Sequence, residues 1–191
     1  MPLLLDKRKE LLKTQDSVPL FITLSPTQVC NLKCKGCYAA SEASTRAQLS
    51  FEVADRILRE KKELWGSFFT VISGGEPLAY RDNGKTIYDL YEKHSDQFFL
   101  MYTNGTLIDS SLARAIVELE LDCLSFSIDA VEEEKYSRLR QGAQLEQVRQ
   151  AIAYLQEEKR NTYFYRSITI DKTPRSITKA FVLGGKVQSK N

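Results

Sequence analysis

Short β-rich runs alternate with amphipathic helical patterns along most of this chain, and this alternation limits the folds that the chain can adopt. Five strands are predicted, at FITLS (21–25), FFTVIS (68–73), FFLMYT (98–103), CLSFSI (123–128) and TYFYRSITI (162–170). Helical patterns separate them, over 51–65 after an N-cap at Ser50, over 84–95, after Asp109, and over a broken stretch at 131–158. Strands that alternate with helices form right-handed parallel βαβ units. The alternation therefore predicts an α/β protein with parallel strands.

The predicted strand 123–128 carries polar side chains on one of its two faces. Because side chains alternate along a strand, Ser125, Ser127 and Asp129 share a face that lies opposite the apolar residues. A strand buried between two layers of helices would be apolar throughout. The pattern therefore favours a barrel with a polar, functional lumen. Since a full (β/α)₈ barrel has eight strands and typically about 250 residues, we predict a partial (β/α) barrel.

The chain divides into three regions by pattern. Residues 1–19 predict an N-terminal arm or helix, residues 20–170 the barrel core, and residues 171–191 a divergent tail. The tail contains KTPRSITKAFVLGGKVQSKN, which does not match a sixth βα unit. We therefore expect a truncated or divergent C-terminus that leaves one side of the barrel open.

Charge and hydropathy exclude two classes of partner. A formal net charge of +2 over 191 residues gives no electrostatic reason to expect nucleic-acid binding. The start, MPLLLDKRKELLK, is too short in apolar residues for a signal peptide, and no apolar run approaches the length of a membrane span. We therefore expect a cytoplasmic protein.

In a reducing cytosol, clustered cysteines more often bind metal or take part in redox chemistry than form disulfides.

Unusual motifs follow four of the predicted strands. The cysteine-rich CNLKCKGC (30–37) follows the first strand, and GGEP, TNG and SID end the second, third and fourth. In parallel α/β folds, active sites gather at the carboxyl ends of the strands. The four motifs therefore predict one site at a single edge of the sheet.

Three cysteines with the spacing C-x₃-C-x₂-C form the most specific of these motifs. Cys30, Cys34 and Cys37 leave one position of a four-ligand metal centre open, and an open position is where a further ligand binds. The alternative is a structural zinc site completed by Cys123 or His94. On sequence pattern, Cys123 is a buried strand residue and His94 a solvated residue at a polar helix end.

The combination of CNLKCKGC, GGEP, TNG and SID, in this order, resembles the radical S-adenosylmethionine superfamily, from about residue 20 to about residue 170. The resemblance implies a [4Fe–4S] cluster whose fourth iron binds S-adenosylmethionine. It also implies reductive cleavage of that ligand to a 5′-deoxyadenosyl radical, which abstracts hydrogen from a substrate.

The resemblance implies a role for nine residues. Cys30, Cys34 and Cys37 would ligate the cluster. The residues that would contact S-adenosylmethionine are Gly74 and Gly75 by close backbone approach, Glu76 directly or through its neighbours, Thr103 and Ser127 at strand ends, and Arg140 at the carboxylate.

Two positions near these residues have a separate interpretation. Many relatives carry an aromatic residue before the third cysteine, where this chain has Gly36 and places Tyr38 after the cysteine instead. Asn104, before a glycine, is interpreted as a turn residue.

The resulting prediction is a radical S-adenosylmethionine enzyme similar to maturases of cofactors and peptides. Its substrate is a peptide, a tetrapyrrole or a small metabolite, and its electron donor a protein such as flavodoxin or ferredoxin. The alternatives are a truncated, non-catalytic iron–sulfur relative and a zinc-stabilised interaction domain.

Overall fold

The computed structural model describes residues 6, 9–13, 19–39, 47–67, 69–161, 168–170 and 179–183. Ten strands occur in this part of the chain, in the order β1 (Phe21–Thr27), β2 (Lys33–Cys34), β3 (Phe69–Gly74), β4 (Arg81–Asp82), β5 (Lys85–Thr86), β6 (Phe98–Thr103), β7 (Cys123–Ser127), β8 (Arg140–Gln141), β9 (Ile168–Ile170) and β10 (Lys179–Leu183). The predicted N-terminal arm is helical over residues 9–13, and the rest of residues 1–18 except Asp6 lies outside the described part.

Helices fill the connections between the strands of the main sheet. They are α1 (Phe51–Trp65), α2 (Ile87–Lys93), α3 (Ser110–Glu118), α4 (Glu133–Leu139) and α5 (Leu145–Asn161). The predicted caps are present, because the side chain of Ser50 accepts a hydrogen bond from the backbone of Val53 and that of Asp109 accepts one from Leu112. The stretch 131–158 is broken, as expected, with α4 and α5 separated by β8.

The main sheet has the strand order β1-β3-β6-β7-β10-β9. Its first four strands are parallel, which confirms the predicted α/β architecture. The predicted fifth strand, 162–170, differs: its described part, β9, pairs with β10, and β10 lies antiparallel against β7. The connection over 171–178 is too short for a parallel crossover, which needs a dozen or more residues, so β9 and β10 form an antiparallel pair.

The two faces of the parallel strands have different surroundings. One register row, formed by Leu24, Ile72, Met101 and Leu124, is buried at 4% exposure or less and packs in the helix-covered core. The opposite face is the inner face of the partial barrel, and β7 presents Ser127 there, as the period-two pattern predicts. The motifs lie where this inner face meets the carboxyl ends of the strands.

His94 is buried, which corrects the prediction that it is solvated. Its Nε2 lies 2.8 Å from Oδ1 of Asp55 in α1, and its Nδ1 lies 3.0 Å from Nε2 of Gln97. Lys93 also donates to Asp55, over 3.0 Å. Burial lowers the pKa of His94, and the nearby Lys93 ammonium acts in the same direction, so the attraction of Asp55 and Asp96 does not keep the imidazole charged.

Folding stability is therefore expected to fall as the pH drops below about 6.5, the ordinary pKa of histidine. A folded-state pKa below the unfolded one means that the unfolded chain binds more protons on acidification, so stability present at pH 7 is lost toward pH 5. Since His94 is the chain's single histidine, His94→Gln should flatten this slope while costing about 1 kcal/mol in lost hydrogen bonding. Urea unfolding at several pH values would measure both effects, and an unchanged slope in the variant would contradict the assignment.

None of the helices in the described ranges combines the length and apolar character needed to cross a membrane.

Candidate functional site

The carboxyl ends of the parallel strands open into one cavity of about 570 Å³. All nine residues that the sequence predicts for the site line it, namely Cys30, Cys34, Cys37, Gly74, Gly75, Glu76, Thr103, Ser127 and Arg140. They come from the cysteine loop after β1, which includes β2, from the ends of β3, β6 and β7, and from β8. Arg140 follows Cys30 by 110 positions of sequence. The predicted convergence at one sheet edge is therefore present in the structure.

The three cysteines of the loop after β1 are half-buried and lie outside any disulfide. The sulfur of Cys30 accepts a hydrogen bond from the backbone N–H of Leu32 over 3.4 Å. Cys34 is held by the short antiparallel pair β2–β8, in which it lies opposite Arg140. Burial raises the pKa of Cys30 and of Cys34, although the nearby Arg140 opposes the shift at Cys34. Both thiolates are therefore favoured only when a cationic partner binds them.

Two glycines at the end of β3 let this strand lie directly against the cysteine loop. The backbone N–H of Gly75 donates to the carbonyl of Thr27 over 2.8 Å, and that of Glu76 donates to Val29 over 2.8 Å. A Cβ on Gly75 would lie 2.3 Å from the carbonyl oxygen of Val29, and one on Gly74 would lie 2.5 Å from that of Thr27. The glycines are thus required by packing against the loop, and their predicted contact with a ligand stays a prediction.

Glu76 connects the second and third strand-end motifs. One carboxylate oxygen accepts hydrogen bonds from the hydroxyl of Thr103 (2.8 Å) and the backbone of Leu78 (3.2 Å), and the other accepts from the backbone of Asn104 (2.8 Å). The side chain is 1% exposed, and burial raises its pKa against these hydrogen bonds. Both oxygens therefore already accept hydrogen bonds within the protein, and the contact of Glu76 with a ligand, directly or through its neighbours, stays a prediction.

Arg140 forms the positive side of the cavity. Its Nε lies 2.6 Å from Oδ2 of Asp129, and its Nη1 lies 3.8 Å from the sulfur of Cys34. Burial works to lower the pKa of Arg140, but the hydrogen bond that its Nε donates to Asp129, together with the negative charge of that carboxylate, outweighs burial, and the pKa is raised. The guanidinium is therefore fixed by Asp129 at the cavity wall beside the cysteine loop.

Asn104 and Tyr38 are among the residues that line the cavity although the sequence did not assign them to the site. Asn104 is 5% exposed and lies within hydrogen-bonding reach of Cys30, although a turn dipeptide gave no sign of this contact. The hydroxyl of Tyr38 accepts a hydrogen bond from the backbone of Gly74 over 3.0 Å, and its ring is 78% exposed. The sequence did give a sign of Tyr38, because it is an aromatic residue directly after the third cysteine.

The donor set suits a cluster held at three corners better than a single ion. A structural zinc site needs a fourth protein ligand, and neither of the two candidates, Cys123 and His94, lines the cavity with the three cysteines. Three thiols free of disulfides, with N–H donors directed at Cys30 and Cys34, suit thiolates that each bind a different iron. Beside them, the cavity offers anionic and cationic side chains for a charged ligand.

Comparison with known proteins identifies relatives by sequence. A family model described as the Radical SAM superfamily matches residues 24–175. The chain is 31% identical over 121 residues to Fe-coproporphyrin III synthase of Methanosarcina barkeri, covering 63% of this chain and 29% of that protein. It is 32% identical over 127 residues to a probable GTP 3′,8-cyclase of Archaeoglobus fulgidus, covering 66% of this chain and 41% of that protein. The chain thus matches less than half the length of each.

Solved structures share the fold. Streptococcus suis SuiB bound to its precursor peptide SuiA superimposes with a TM-score of 0.65 at 23% identity, over 80% of this chain and 34% of that one. The protein anSMEcpe with bound AdoMet superimposes with a TM-score of 0.59 at 25% identity, over 74% of this chain and 42% of that one. On the family match and the shared architecture, the chain belongs to the radical S-adenosylmethionine superfamily, whose enzymes use a [4Fe–4S] cluster and S-adenosylmethionine as cofactors.

Proposed function

We propose that this chain forms the catalytic core of a radical S-adenosylmethionine enzyme, in which Cys30, Cys34 and Cys37 anchor the cluster. When bound, the cluster and S-adenosylmethionine supply an electron and a 5′-deoxyadenosyl radical for hydrogen abstraction from a substrate. The observation that carries the proposal is the cavity at the strand ends, because the three cysteines and all six predicted ligand-contacting residues line it.

The charges of the cavity support binding of S-adenosylmethionine beside the cysteine loop. The ligand carries an amino group, a carboxylate and a sulfonium. Arg140 offers the carboxylate a donor that Asp129 already orients. Glu76, whose two oxygens accept hydrogen bonds from Leu78, Thr103 and Asn104, fixes the ends of β3 and β6 around the amino end of the ligand.

The polar strand ends give the ligand further hydrogen-bonding partners. Ser127 lies at the end of β7 with its side chain on the inner face, and Thr103 ends β6 with its hydroxyl held by Glu76. We propose that Ser127 contacts the ligand directly. Thr103 contributes mainly by fixing the carboxylate of Glu76, since that hydrogen bond spans 2.8 Å inside the wall of the cavity.

The substrate is proposed only by class. The relatives matched by sequence are named for a coproporphyrin and for GTP, and SuiB was solved with a peptide. These names agree with the predicted choice between a tetrapyrrole, a small metabolite and a peptide, and we propose a substrate of one of these kinds. We further propose a cytoplasmic enzyme that receives its electron from flavodoxin or ferredoxin.

Anaerobic reconstitution with iron and sulfide tests the proposal. We expect a brown protein with about four irons and four sulfides per chain. After reduction with dithionite, it should convert S-adenosylmethionine to 5′-deoxyadenosine, measured by liquid chromatography against a control without reductant.

Two outcomes would replace the proposal with its alternatives. Cluster and ligand binding without 5′-deoxyadenosine, under strong reductant, would identify a non-catalytic relative. Colourless protein that keeps one zinc ion per chain after desalting would identify a zinc-stabilised domain.

A further inference from the structure

The side-chain amide of Asn104 faces a cysteine of the predicted cluster site. Asn104 follows β6 directly, and its Nδ2 lies 3.8 Å from Sγ of Cys30 and 2.9 Å from Oδ1 of Asn31. An amide NH₂ has two protons, so one can serve Asn31 while the other points toward the sulfur. Asn104 is 5% exposed, so water does not compete freely for either proton.

The orientation of this amide is fixed by Thr106. The backbone N–H of Thr106 lies 2.9 Å from Oδ1 of Asn104 and can only donate, so the oxygen of the amide must face Thr106. The hydroxyl of Thr106 also donates to Oδ1 of Asn104, over 2.7 Å. The same hydroxyl accepts a hydrogen bond from Nδ2 of Asn31, over 2.7 Å. The three side chains close a ring of hydrogen bonds, and the nitrogen of Asn104 is left on the side of Cys30.

The backbone under this amide is fixed as well. The N–H of Asn104 donates to Glu76 over 2.8 Å, and the next N–H, of Gly105, donates to the hydroxyl of Thr103 over 3.0 Å. The backbone N–H of Glu76 donates a hydrogen bond to the carbonyl of Val29, next to Cys30. Glu76 therefore connects the backbone of Asn104 to the backbone beside Cys30, and this fixes the distance between the amide and the sulfur. A preorganised donor of this kind loses little entropy when it binds a thiolate.

We propose that Asn104 is a positioning residue that donates an amide N–H to the Cys30 thiolate and thereby raises the reduction potential of the cluster. Reduction adds negative charge to the cluster and its sulfurs, and a hydrogen bond to a sulfur stabilises the more negative state. The inference rests on the proposed function only in requiring that the cluster binds at the three cysteines.

Potentiometric titration of the reconstituted full chain, followed by electron paramagnetic resonance, tests the proposal. Asn104→Ala removes the donor and the turn acceptor, whereas Asn104→Asp removes the donor and keeps an oxygen for Thr106. We expect both variants to bind the cluster and to be harder to reduce, with the equilibrium constant for reduction lowered threefold to tenfold. A tenfold change corresponds to about 59 mV for one electron.

Asn31→Asp is the charge-matched control. It adds a carboxylate beside Cys30 but keeps an oxygen that accepts from Asn104, so it separates added charge from loss of the N–H donor. We expect a smaller change in potential from Asn31→Asp than from Asn104→Asp.

An unchanged potential in Asn104→Ala would overturn the proposal, and equal shifts in the two Asp variants would then assign their change in potential to the added charge alone. A variant that folds by circular dichroism but retains no iron would also count against it, because Asn104 would then hold the ligand loop rather than tune the cluster. Wild-type protein without a cluster would instead contradict the proposed function, so the two failures are distinguishable.

Discussion

Cys34→Ala is expected to leave the chain folded but unable to retain a cluster. Cys34 lies in the middle of the three thiols and is fixed by backbone pairing with Arg140, so no other described thiol can move into its place. With two thiolates left, one iron corner loses its protein ligand. We expect iron after anaerobic desalting to fall from about four per chain to below about one. Formation of 5′-deoxyadenosine should fall to the level of a control without protein.

Cys123→Ala provides the matched control for this experiment. Cys123 is a free cysteine of β7, is 4% exposed, and does not line the cavity. Burial raises its pKa to about 11, so it stays a thiol. Its replacement should cost about 1 kcal/mol of packing and leave iron content unchanged. Full iron retention in Cys34→Ala, or iron loss in Cys123→Ala equal to that in Cys34→Ala, would contradict the assignment of the cluster to the loop.

The sequence predicted those parts of the site that follow from local pattern. Strand and helix periods place each motif at a strand end, and the rule that parallel strands share their carboxyl edge predicts that Cys30, Glu76, Thr103 and Ser127 lie together, as they do in the cavity. The parallel order of β1, β3, β6 and β7 followed from the same alternation. These features depend on spacing within one segment or on a topology rule, which a single sequence carries.

The missed features depend on which side chains meet across the fold. Asn104 was assigned to a turn, and its contact with Cys30 joins loops 74 residues apart. His94 was assigned to solvent, although Asp55 from another helix covers it. A polar residue at a helix end is compatible with either environment, and only the packing of α1 against α2 decides between them. The placement of β10 between β7 and β9 likewise depends on long-range pairing.

Gly75→Ala is expected to have a large effect without removing any functional group. The added Cβ would lie 2.3 Å from the carbonyl oxygen of Val29 and 2.7 Å from that of Gln28, and backbone atoms cannot rotate away as a side chain would. The end of β3 must therefore move from the cysteine loop, breaking the hydrogen bond from Glu76 to Val29. We expect a loss of about 3 kcal/mol of folding free energy and several-fold weaker iron retention, measured by urea unfolding and by iron analysis.

Gly84→Ala separates the steric clash from the general cost of replacing a glycine. Gly84 has a φ of +78°, so alanine is strained there, but its added Cβ would meet no atom within 4 Å. This variant should lose about 1 kcal/mol and keep its iron. If Gly75→Ala proves no more harmful than Gly84→Ala, then the tight contact between β3 and the cysteine loop is not required for cluster binding. In that case Gly74 and Gly75 would be needed for access of the ligand, as the sequence alone predicts. Binding of S-adenosylmethionine to Gly75→Ala should then weaken while its iron content stays constant.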